Sequence, residues 1–290
     1  MSLAQVNKTE ILQARAKMFA HVRQFFAMRE VIEVDTPLLA RSCPIDTHIE
    51  IVGAQVMGRR GYLHSSPEFA MKRLLAEGAG DIYQMGHVFR DFEFGAKHNP
   101  EFTMVEWYRH GFSLTELMEE TFAFFQLFLD VESFEAVPIK EVFLRYAGSF
   151  PTDPEERDHL FAFKVEPHLG QGKVTFLVDF PPEQAALART YLKNGELVAL
   201  RFEGFYQGVE LCNGYHELCD ALEQRERLQE ANRQRVELGK ERYPIDQRLI
   251  EALERGLPDC AGVAVGFDRL LLLQKGAKEL SEVLPFVWEE

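Results

Sequence analysis

Two arginines, far apart in the chain, stand where they can bind an anion. Arg90 follows the apolar run Ile82–Phe89, and Arg269 follows Gly266 at the start of a helical pattern. A guanidinium group is costly to bury unless an anion meets it, and its planar fork matches a phosphate or a carboxylate. A lone arginine of this kind more often forms a structural ion pair. The residues near the two arginines in sequence therefore decide between the two roles.

Those neighbours favour a nucleotide site. His98 and Asn99 lie in the polar loop after Arg90, and Phe102 begins the next apolar run. The two polar side chains can contact phosphate or ribose, and the phenylalanine offers a flat apolar face for a purine. Arg269 can cover the other side of that purine by cation–π stacking. Two arginines beside one aromatic plane predict a clamp for ATP.

Acidic residues form the second cluster. Alternate residues of a strand share a face, so Glu106 and Tyr108 point the same way and suit an amine-bearing substrate. Glu210 and Glu217 differ in parity, so the pattern predicts a turn at Asn213-Gly214 to bring both carboxylates to one side. Carboxylates beside a nucleotide can hold Mg²⁺ or pair with a substrate ammonium. Alone, the segment is more typical of a surface turn.

The elements that must position these residues are an alternation of helices and strands. Helical spacing of apolar residues, proline and glycine breaks, and one capping box define them. The predicted elements are a helix over residues 9–29, a short strand over 31–39 ended by Pro37, a helix from Ser66-Pro67-Glu68, strands over 82–89 and 102–108, a helix opened by Ser113–Glu116, a strand over 174–178, a strand pair over 200–212, a charged helix over 220–240, and a strand over 262–266 that leads into a helix at Asp268-Arg269.

This order of elements predicts an α/β (α+β) fold with an antiparallel-rich mixed sheet flanked by helices, rather than a doubly wound parallel sheet. No GxGxxG follows a strand and no GxxxxGK[ST] is present, so the two common phosphate loops are excluded. Without a repeat, a low-complexity tract or a linker, residues 1–290 are expected to form one domain.

Composition narrows the class of protein. The 290 residues carry a net charge of −14, with 32 basic against 46 acidic side chains, which argues against a broad nucleic-acid surface. No run approaches the ~18 apolar residues of a membrane span, and the N-terminus has no apolar secretory segment. The four cysteines form no CxxC pair and are expected to pack as small apolar groups in a reducing compartment. The composition favours a cytoplasmic protein.

Three segments carry a family resemblance. Thr36-Pro37-Leu38 lies just after the strand residues Val31-Ile32-Glu33-Val34 and resembles motif 1 of the class II aminoacyl-tRNA synthetases. The hairpin that runs from Phe89-Arg90 to His98-Asn99-Pro100-Glu101-Phe102 resembles motif 2, and Gly266-Phe267-Asp268-Arg269 resembles motif 3. The resemblance extends over nearly the whole chain and is closest to the lysyl branch. It implies a class II catalytic core that uses ATP and Mg²⁺ and forms a homodimer around the helix before Pro37.

Within that branch the chain resembles the truncated paralogues that act on elongation factor P. Leu63-His64-Ser65-Ser66-Pro67-Glu68, Asn213–Leu218 and Pro244-Ile245-Asp246-Gln247 are similar to theirs. The chain begins almost at the motif 1 helix, so an anticodon-binding barrel and anticodon-type tRNA binding are not expected. Ala264 stands where lysyl-tRNA synthetases have glycine, and one methyl group in a tight pocket shifts preference between substrates by ~1–3 kcal/mol. The resemblance implies transfer of β-lysine or lysine to a lysine of elongation factor P.

The resemblance also implies roles for individual residues. Arg90 and Arg269 would be catalytic through contacts with phosphate, the substrate carboxylate and adenine. The implied ATP-binding residues are Arg90, Asp91, Phe92, His98, Asn99, Phe102, Glu210, Leu211, Gly266 and Arg269. The implied substrate-binding residues are Ser66, Pro67, Glu68, Glu106, Tyr108, Asn213, Glu217 and Ala264. Glu210 and Glu217 are the implied metal ligands.

One position departs from the family. Motif 2 of the family begins Phe-Arg-Asn-Glu, and its glutamate reads the adenine amino group, whereas Phe92 occupies that position here. We hypothesise that the loop bulges so that Glu93, or a backbone carbonyl, takes over this contact. Two alternative functions stay open. One is a stand-alone enzyme that charges tRNA, and the other is a non-catalytic regulator with a synthetase fold, which the phenylalanine alone favours.

Overall fold

The computed structural model of the protein describes residues 7–288. The helices of these residues are α1 (Lys8–Ala27), α2 (Glu68–Ala76), α3 (Leu114–Phe125), α4 (Ile139–Tyr146), α5 (Pro154–Leu160), α6 (Ala221–Glu237), α7 (Gln247–Gly256) and α8 (Phe267–Lys275). The strands are β1 (Ile32–Glu33), β2 (Leu39–Ala40), β3 (Gly53–Val56), β4 (Arg59–Leu63), β5 (Ile82–Phe89), β6 (Glu101–His110), β7 (Phe134–Pro138), β8 (Val174–Val178), β9 (Thr190–Lys193), β10 (Glu196–Ala199), β11 (Arg201–Tyr206), β12 (Val209–His216) and β13 (Cys260–Gly266).

The chain divides into two compact units, and the single catalytic domain that the sequence favours stays a prediction. Of the described residues, unit 1 holds 7–110, 219–259 and 266–288, and unit 2 holds 111–218 and 260–265. The chain passes from one unit to the other at only a few points, and no change in amino-acid composition marks them. None of the helices in residues 7–288 is long and apolar enough to cross a bilayer.

In unit 1, α1 packs on a strand group ordered β1, β5, β6. Strand β1 runs parallel to β5, and β5 runs antiparallel to β6 from the pair Ile82–Tyr108 to the pair Phe89–Glu101. Phe26 of α1 stacks on Tyr83 with ring centroids 4.1 Å apart. The helix begins where Asn7 accepts hydrogen bonds from two first-turn amides, as an N-cap does.

The strand expected over residues 31–39 is wrong in extent. Only Ile32–Glu33 pairs with β5, and Leu39–Ala40 belongs to a separate three-stranded sheet with β4 and β3. Pro37 lies between the two pieces and has no amide hydrogen to continue the ladder. The amide of Thr36 instead donates to Oε1 of Gln84 at 2.9 Å.

In unit 2, five strands lie in the order β13, β12, β11, β8, β7, antiparallel except for the last pair. The predicted capping box is confirmed, because Ser113 and Glu116 exchange both hydrogen bonds at the start of α3. The apolar stripe of α3 is core, and Phe125 stacks near Phe176 of β8. The mixed parallel and antiparallel strands with flanking helices agree with the predicted fold class.

Candidate active site

The loop between β5 and β6 carries Arg90 in a defined position. Its amide donates to the carbonyl of Pro100 at 2.9 Å, which continues the β5–β6 ladder by one residue. Its guanidinium carbon lies 5.2 Å from the centroid of the Phe102 ring. Its Nε is buried and has no hydrogen-bond partner among residues 7–288. A buried donor without a partner carries a desolvation cost that an incoming phosphate or carboxylate oxygen would relieve.

Phe92 points out of this loop, and Glu93 points back into it. Phe92 has a φ of 60°, in the left-handed region that a bulky residue rarely adopts, and is 85% exposed. Its amide donates to Oδ1 of Asp91 at 2.9 Å, and the amide of Asp91 donates to the carbonyl of Glu50 at 2.8 Å. Oε1 of Glu93 lies 3.7 Å from Nη1 of Arg90. The left-handed residue thus gives the loop the turn that the bulge hypothesis requires.

Arg269 reaches the tip of the same loop from the first turn of α8. Its Nε donates to the carbonyl of Lys97 at 3.3 Å, and its Nη2 lies 2.8 Å from Nε2 of His98. Asn99 is buried, and its side chain is engaged with backbone on both sides. It donates to the carbonyl of Glu101 at 2.6 Å and accepts from the amide of Trp288 at 3.1 Å. Asn99 therefore holds the loop against the C-terminal segment.

A second group in unit 1 is an acidic pocket at the start of α2. Oε2 of Glu106 accepts from the Ser66 hydroxyl at 2.7 Å, and Oε1 accepts from the Tyr108 hydroxyl at 2.7 Å. The Ser66 oxygen also accepts from the amide of Glu68 at 3.0 Å, which follows Pro67 at the helix N-cap. Lys72 donates to Oε1 of Glu68 at 2.7 Å. All four predicted side chains of this pocket lie together.

Sequence reasoning missed Lys72, although its spacing of four residues from Glu68 is the signal that would have found it. Glu68, Lys72 and Glu106 are all buried. Burial and, after it, the charge of the nearby Glu68 raise the pKa of Glu106 to about 7, against the opposing effect of hydrogen bonds from Tyr108 and Ser66 and of the charge of Lys72. The pocket thus holds one carboxylate more than its own cation balances.

Strand β12, which carries Glu210, shifts its side-chain alternation by one residue without a turn. Asn213 and Gly214 lie inside β12, so the turn predicted there is wrong. The β11–β12 register shifts by one at Gly204/Phe205, which leaves Leu211 without a partner on β11. Past this bulge, Glu210 shares a face with Asn213. The bulge therefore achieves what the turn was expected to do.

Asn213 lies directly opposite Ala264 on β13, so two predicted substrate residues are cross-strand neighbours. Nδ2 of Asn213 donates to the Tyr215 hydroxyl at 2.9 Å. Glu217 is buried just beyond the strand, where its amide donates to the carbonyl of Cys260 at 3.0 Å. Gly266, also assigned to the site, is the N-cap of α8.

The two predicted metal ligands lie on one segment, Glu210 within β12 and Glu217 just beyond its end. That one ion binds both stays a prediction. Among residues 7–288 there is no group of three or more His, Cys, Asp or Glu side chains with metal-binding geometry. The acid that shares a face with Glu210 is Glu203, which lies opposite Asn213, and the diagonal separation of such positions is about 7–8 Å.

Sequence reasoning missed Glu203. Its side chain is 14% exposed. Burial, together with the nearby Glu210, raises its pKa to about 7 against the opposing effect of Arg201. Arg201 donates to Glu203 and, at 3.2 Å, to Oδ1 of Asn213. A buried carboxylate next to a second one is a position where a bound cation relieves repulsion. Glu203 and Glu210 lie on different strands and share a face only because of the bulge. No spacing in the sequence indicates this arrangement.

Comparison with known proteins places the chain in a family. The family described as tRNA synthetases class II (D, K and N) matches residues 1–290. A protein of Proteus mirabilis (strain HI4320) named elongation factor P–(R)-β-lysine ligase is 44% identical, with 95% of this chain and 94% of that protein covered. A protein of the same name from Edwardsiella ictaluri (strain 93-146) is 42% identical over the same shares of each chain. The chain belongs to the class II tRNA synthetases of the D, K and N group.

Proposed function

We propose that the protein is a ligase that activates (R)-β-lysine or lysine with ATP and transfers it to the ε-amine of a lysine of elongation factor P. The observation that carries the proposal is the pairing, within unit 1, of two opposite kinds of binding group. Arg90 has a buried Nε without a partner among the described residues, and Glu106 is a buried carboxylate held by two hydroxyl groups. One suits an anion and the other an ammonium, and the activation of an amino acid by ATP requires both.

The chemistry of the first step needs positioning and charge neutralisation. A carboxylate oxygen of the amino acid attacks the α-phosphorus of ATP, and the bond to the β-phosphate oxygen breaks, which releases pyrophosphate and forms an aminoacyl-adenylate. Arg90 holds the carboxylate and the α-phosphate in line, and its charge stabilises the transition state. Phe102 and Arg269 bind the two faces of adenine, with His98, Asn99, Asp91 and Gly266 lining the nucleotide.

In the second step the ε-amine of the acceptor lysine attacks the carbonyl carbon of the adenylate. A new amide bond forms, the bond to the phosphate oxygen breaks, and AMP leaves with the negative charge while the amine loses a proton. Ser66, Pro67, Glu68, Glu106 and Tyr108 bind the aminoacyl group. The family resemblance alone assigns Asn213, Glu217 and Ala264 to the substrate as well. The methyl group of Ala264 favours the β-amino acid over the α-amino acid.

The proposal includes Mg²⁺, with Glu210 and Glu217 as the residues that would hold it and Glu203 as a further ligand beside Glu210. Glu203 supports this assignment, because its carboxyl is buried beside another acid and its pKa is raised to about 7. A divalent cation held there would supply positive charge for the polyphosphate. Glu217 is also assigned to the substrate.

The proposal treats residues 1–290 as one catalytic domain, because the family match spans them all. It also includes a cytoplasmic location, a homodimer built around α1 and no anticodon-type tRNA binding. A two-fold interface of this kind would be isologous. A light-scattering series over concentration in which only monomer appears contradicts the dimer.

One experiment separates the proposed function from its alternatives. The protein is incubated with ATP, Mg²⁺, one lysine isomer at a time and elongation factor P, and the intact mass of the factor is measured. A gain of one lysyl unit, larger with the β-isomer, is expected. Charging of tRNA instead supports a synthetase, and the absence of pyrophosphate exchange with every isomer supports a non-catalytic regulator.

A further inference from the structure

Arg15, Thr103 and Asp268 form a buried polar cluster in unit 1 that the roles assigned above do not use. Nη1 of Arg15 donates to Oδ1 of Asp268, and Nη2 donates to the Thr103 hydroxyl oxygen at 3.0 Å. Oδ2 of Asp268 accepts from the amide of Thr103 at 2.8 Å. The three residues are 8%, 3% and 2% exposed in the order named above. One guanidinium group thus closes a ring of hydrogen bonds across three elements.

The two partners of Arg15 are each adjacent in sequence to a residue proposed to bind adenine. Thr103 follows Phe102 in β6, and Asp268 precedes Arg269 in the first turn of α8. Successive residues of a strand point to opposite faces, so the side chain of Phe102 points away from the cluster while its backbone is fixed by it. The separation of Phe102 and Arg269 therefore depends on how Thr103 and Asp268 are held.

Arg15 is itself fixed by its position in α1. Its guanidinium carbon lies 5.5 Å from the ring centroid of Phe19 and 5.3 Å from that of Phe267, and these two rings stack at 4.7 Å. A planar guanidinium can donate in two directions at once, which an ammonium on a flexible stem cannot do with the same geometry. The choice of arginine matters for this reason, beyond its charge.

We infer that Arg15 is a positioning residue for nucleotide binding, which holds β6 and the start of α8 at the separation that lets Phe102 and Arg269 enclose adenine. The inference rests on the proposed use of ATP. It assigns to the helix α1, which contributes none of the proposed contacts to ATP, control over the adenine end of the site.

The test compares matched variants. Arg15→Lys keeps the charge but not the planar guanidinium that donates in two directions. Thr103→Val keeps the shape of the side chain but removes the hydroxyl oxygen that accepts from Arg15. Thr103→Ser restores that acceptor. Arg23→Lys is the control, since Arg23 lies on the same helix in an exposed ion pair with Glu33 at 3.2 Å. Equilibrium binding of ATP and of inorganic pyrophosphate is measured for each, together with kcat and KM for ATP in pyrophosphate exchange.

Arg15→Lys and Thr103→Val are expected to weaken ATP binding about tenfold and to leave pyrophosphate binding, the KM for lysine and kcat within about twofold. Thr103→Ser and Arg23→Lys are expected to match the unmodified protein. Equal losses for ATP and pyrophosphate, or a lower melting temperature with unchanged ATP affinity, overturn the inference. If Arg15→Lys does not fold, Thr103→Val decides.

The outcome also separates this inference from the proposed function. A protein that binds ATP in the expected pattern but exchanges pyrophosphate with no lysine isomer contradicts the ligase and retains the role of Arg15. A protein that modifies elongation factor P while Arg15→Lys and Thr103→Val bind ATP normally retains the ligase and loses the role of Arg15. An unmodified protein that binds no ATP overturns both.

Discussion

The arginine loop and the acidic pocket of unit 1 differ in how much of their hydrogen bonding the protein completes by itself. In the loop, the Arg90 Nε has no partner among residues 7–288, and Phe92 is 85% exposed. In the pocket, both carboxylate oxygens of Glu106 are bonded to hydroxyl groups, and Lys72 pairs with Glu68. The pocket is preorganised, whereas the loop is held by its backbone and leaves its charged side chain for the ligand.

The difference matches what the two ligands can supply. A polyphosphate carries several charges and many acceptor atoms, so it can order a loop around itself. An ammonium on a small amino acid offers three donors and one charge, so its site must exist beforehand. Four predictions below test this contrast, beginning with the largest expected effect.

Arg90→Lys is expected to lower kcat for pyrophosphate exchange by about 10²-fold or more, because the bidentate contact forms best in the transition state. The KM for lysine should change little. Arg60→Lys is the control, since that arginine forms an exposed pair with Glu241. A variant that loses lysine affinity and keeps kcat would show that the loop and the pocket have the opposite roles.

Glu106→Gln is expected to raise the KM for lysine about 30- to 100-fold, in line with roughly 2–3 kcal/mol for a buried charged hydrogen bond. The glutamine keeps the size of the side chain, so ATP affinity measured by equilibrium dialysis should stay within twofold. An equal loss of ATP and lysine affinity contradicts a separate amine pocket.

Glu93→Gln is expected to reduce the preference for ATP over GTP about tenfold, because a carboxylate accepts from the adenine amino group and an amide also donates to guanine. Phe92→Leu should leave the preference unchanged, since the side chain points outward. Rates of pyrophosphate exchange with each nucleotide give the ratio. Equal use of ATP and GTP by the unmodified protein rejects the adenine-reading role of Glu93.

The smallest expected effect is on pH dependence. The pKa of Glu106 is about 7, so the group is mostly neutral below pH 7 and binds an ammonium poorly there, and the KM for lysine should fall several-fold between pH 6 and pH 8. Because this folded-state pKa lies above the ordinary value of 4.5, the folded protein binds more protons between pH 4.5 and 7, and its stability falls as pH rises through that window.

Glu203, whose pKa is also about 7, adds a term of the same sign to stability but not to lysine affinity. Glu106→Gln should therefore flatten the pH profile of the KM for lysine and only part of the profile of melting temperature. A KM for lysine that is constant from pH 6 to pH 8 in the unmodified protein contradicts the assignment to Glu106.

The sequence predicted best what depends on local pattern. The apolar run Ile82–Phe89 is strand β5 with the same bounds, and Ser113 caps α3 as its spacing from Glu116 predicts. Both depend on neighbours within one element, where side-chain period and capping preferences act directly. The site residues of the arginine loop were predicted for a different reason. A family motif is recognised by the identity of its residues, even where their contacts are distant in sequence.

What the sequence could not predict depends on contacts between elements. Phe92 has a left-handed φ next to Asp91, whose amide bonds to the carbonyl of the distant Glu50, and a phenylalanine gives no sign of this in the sequence. The role of Glu203 follows from the pairing of β11 with β12. Gly204 in β11 is a partial signal for that irregularity, since a Cβ there would lie 2.6 Å from the Cys212 sulfur.

The bulge at Leu211 also bears on how this strand can change over evolution. The alternation of side chains between the two faces of the sheet is interrupted there, between Glu210 and Asn213. Deletion of Leu211 would remove the extra residue and leave Glu210 opposite Phe205, on the face that it already shares with Asn213. Deletion of one residue from the regular part of the strand would instead shift the pairing of everything on one side of it. The bulge is therefore the point at which relatives are expected to lose a residue of this strand without moving Glu210.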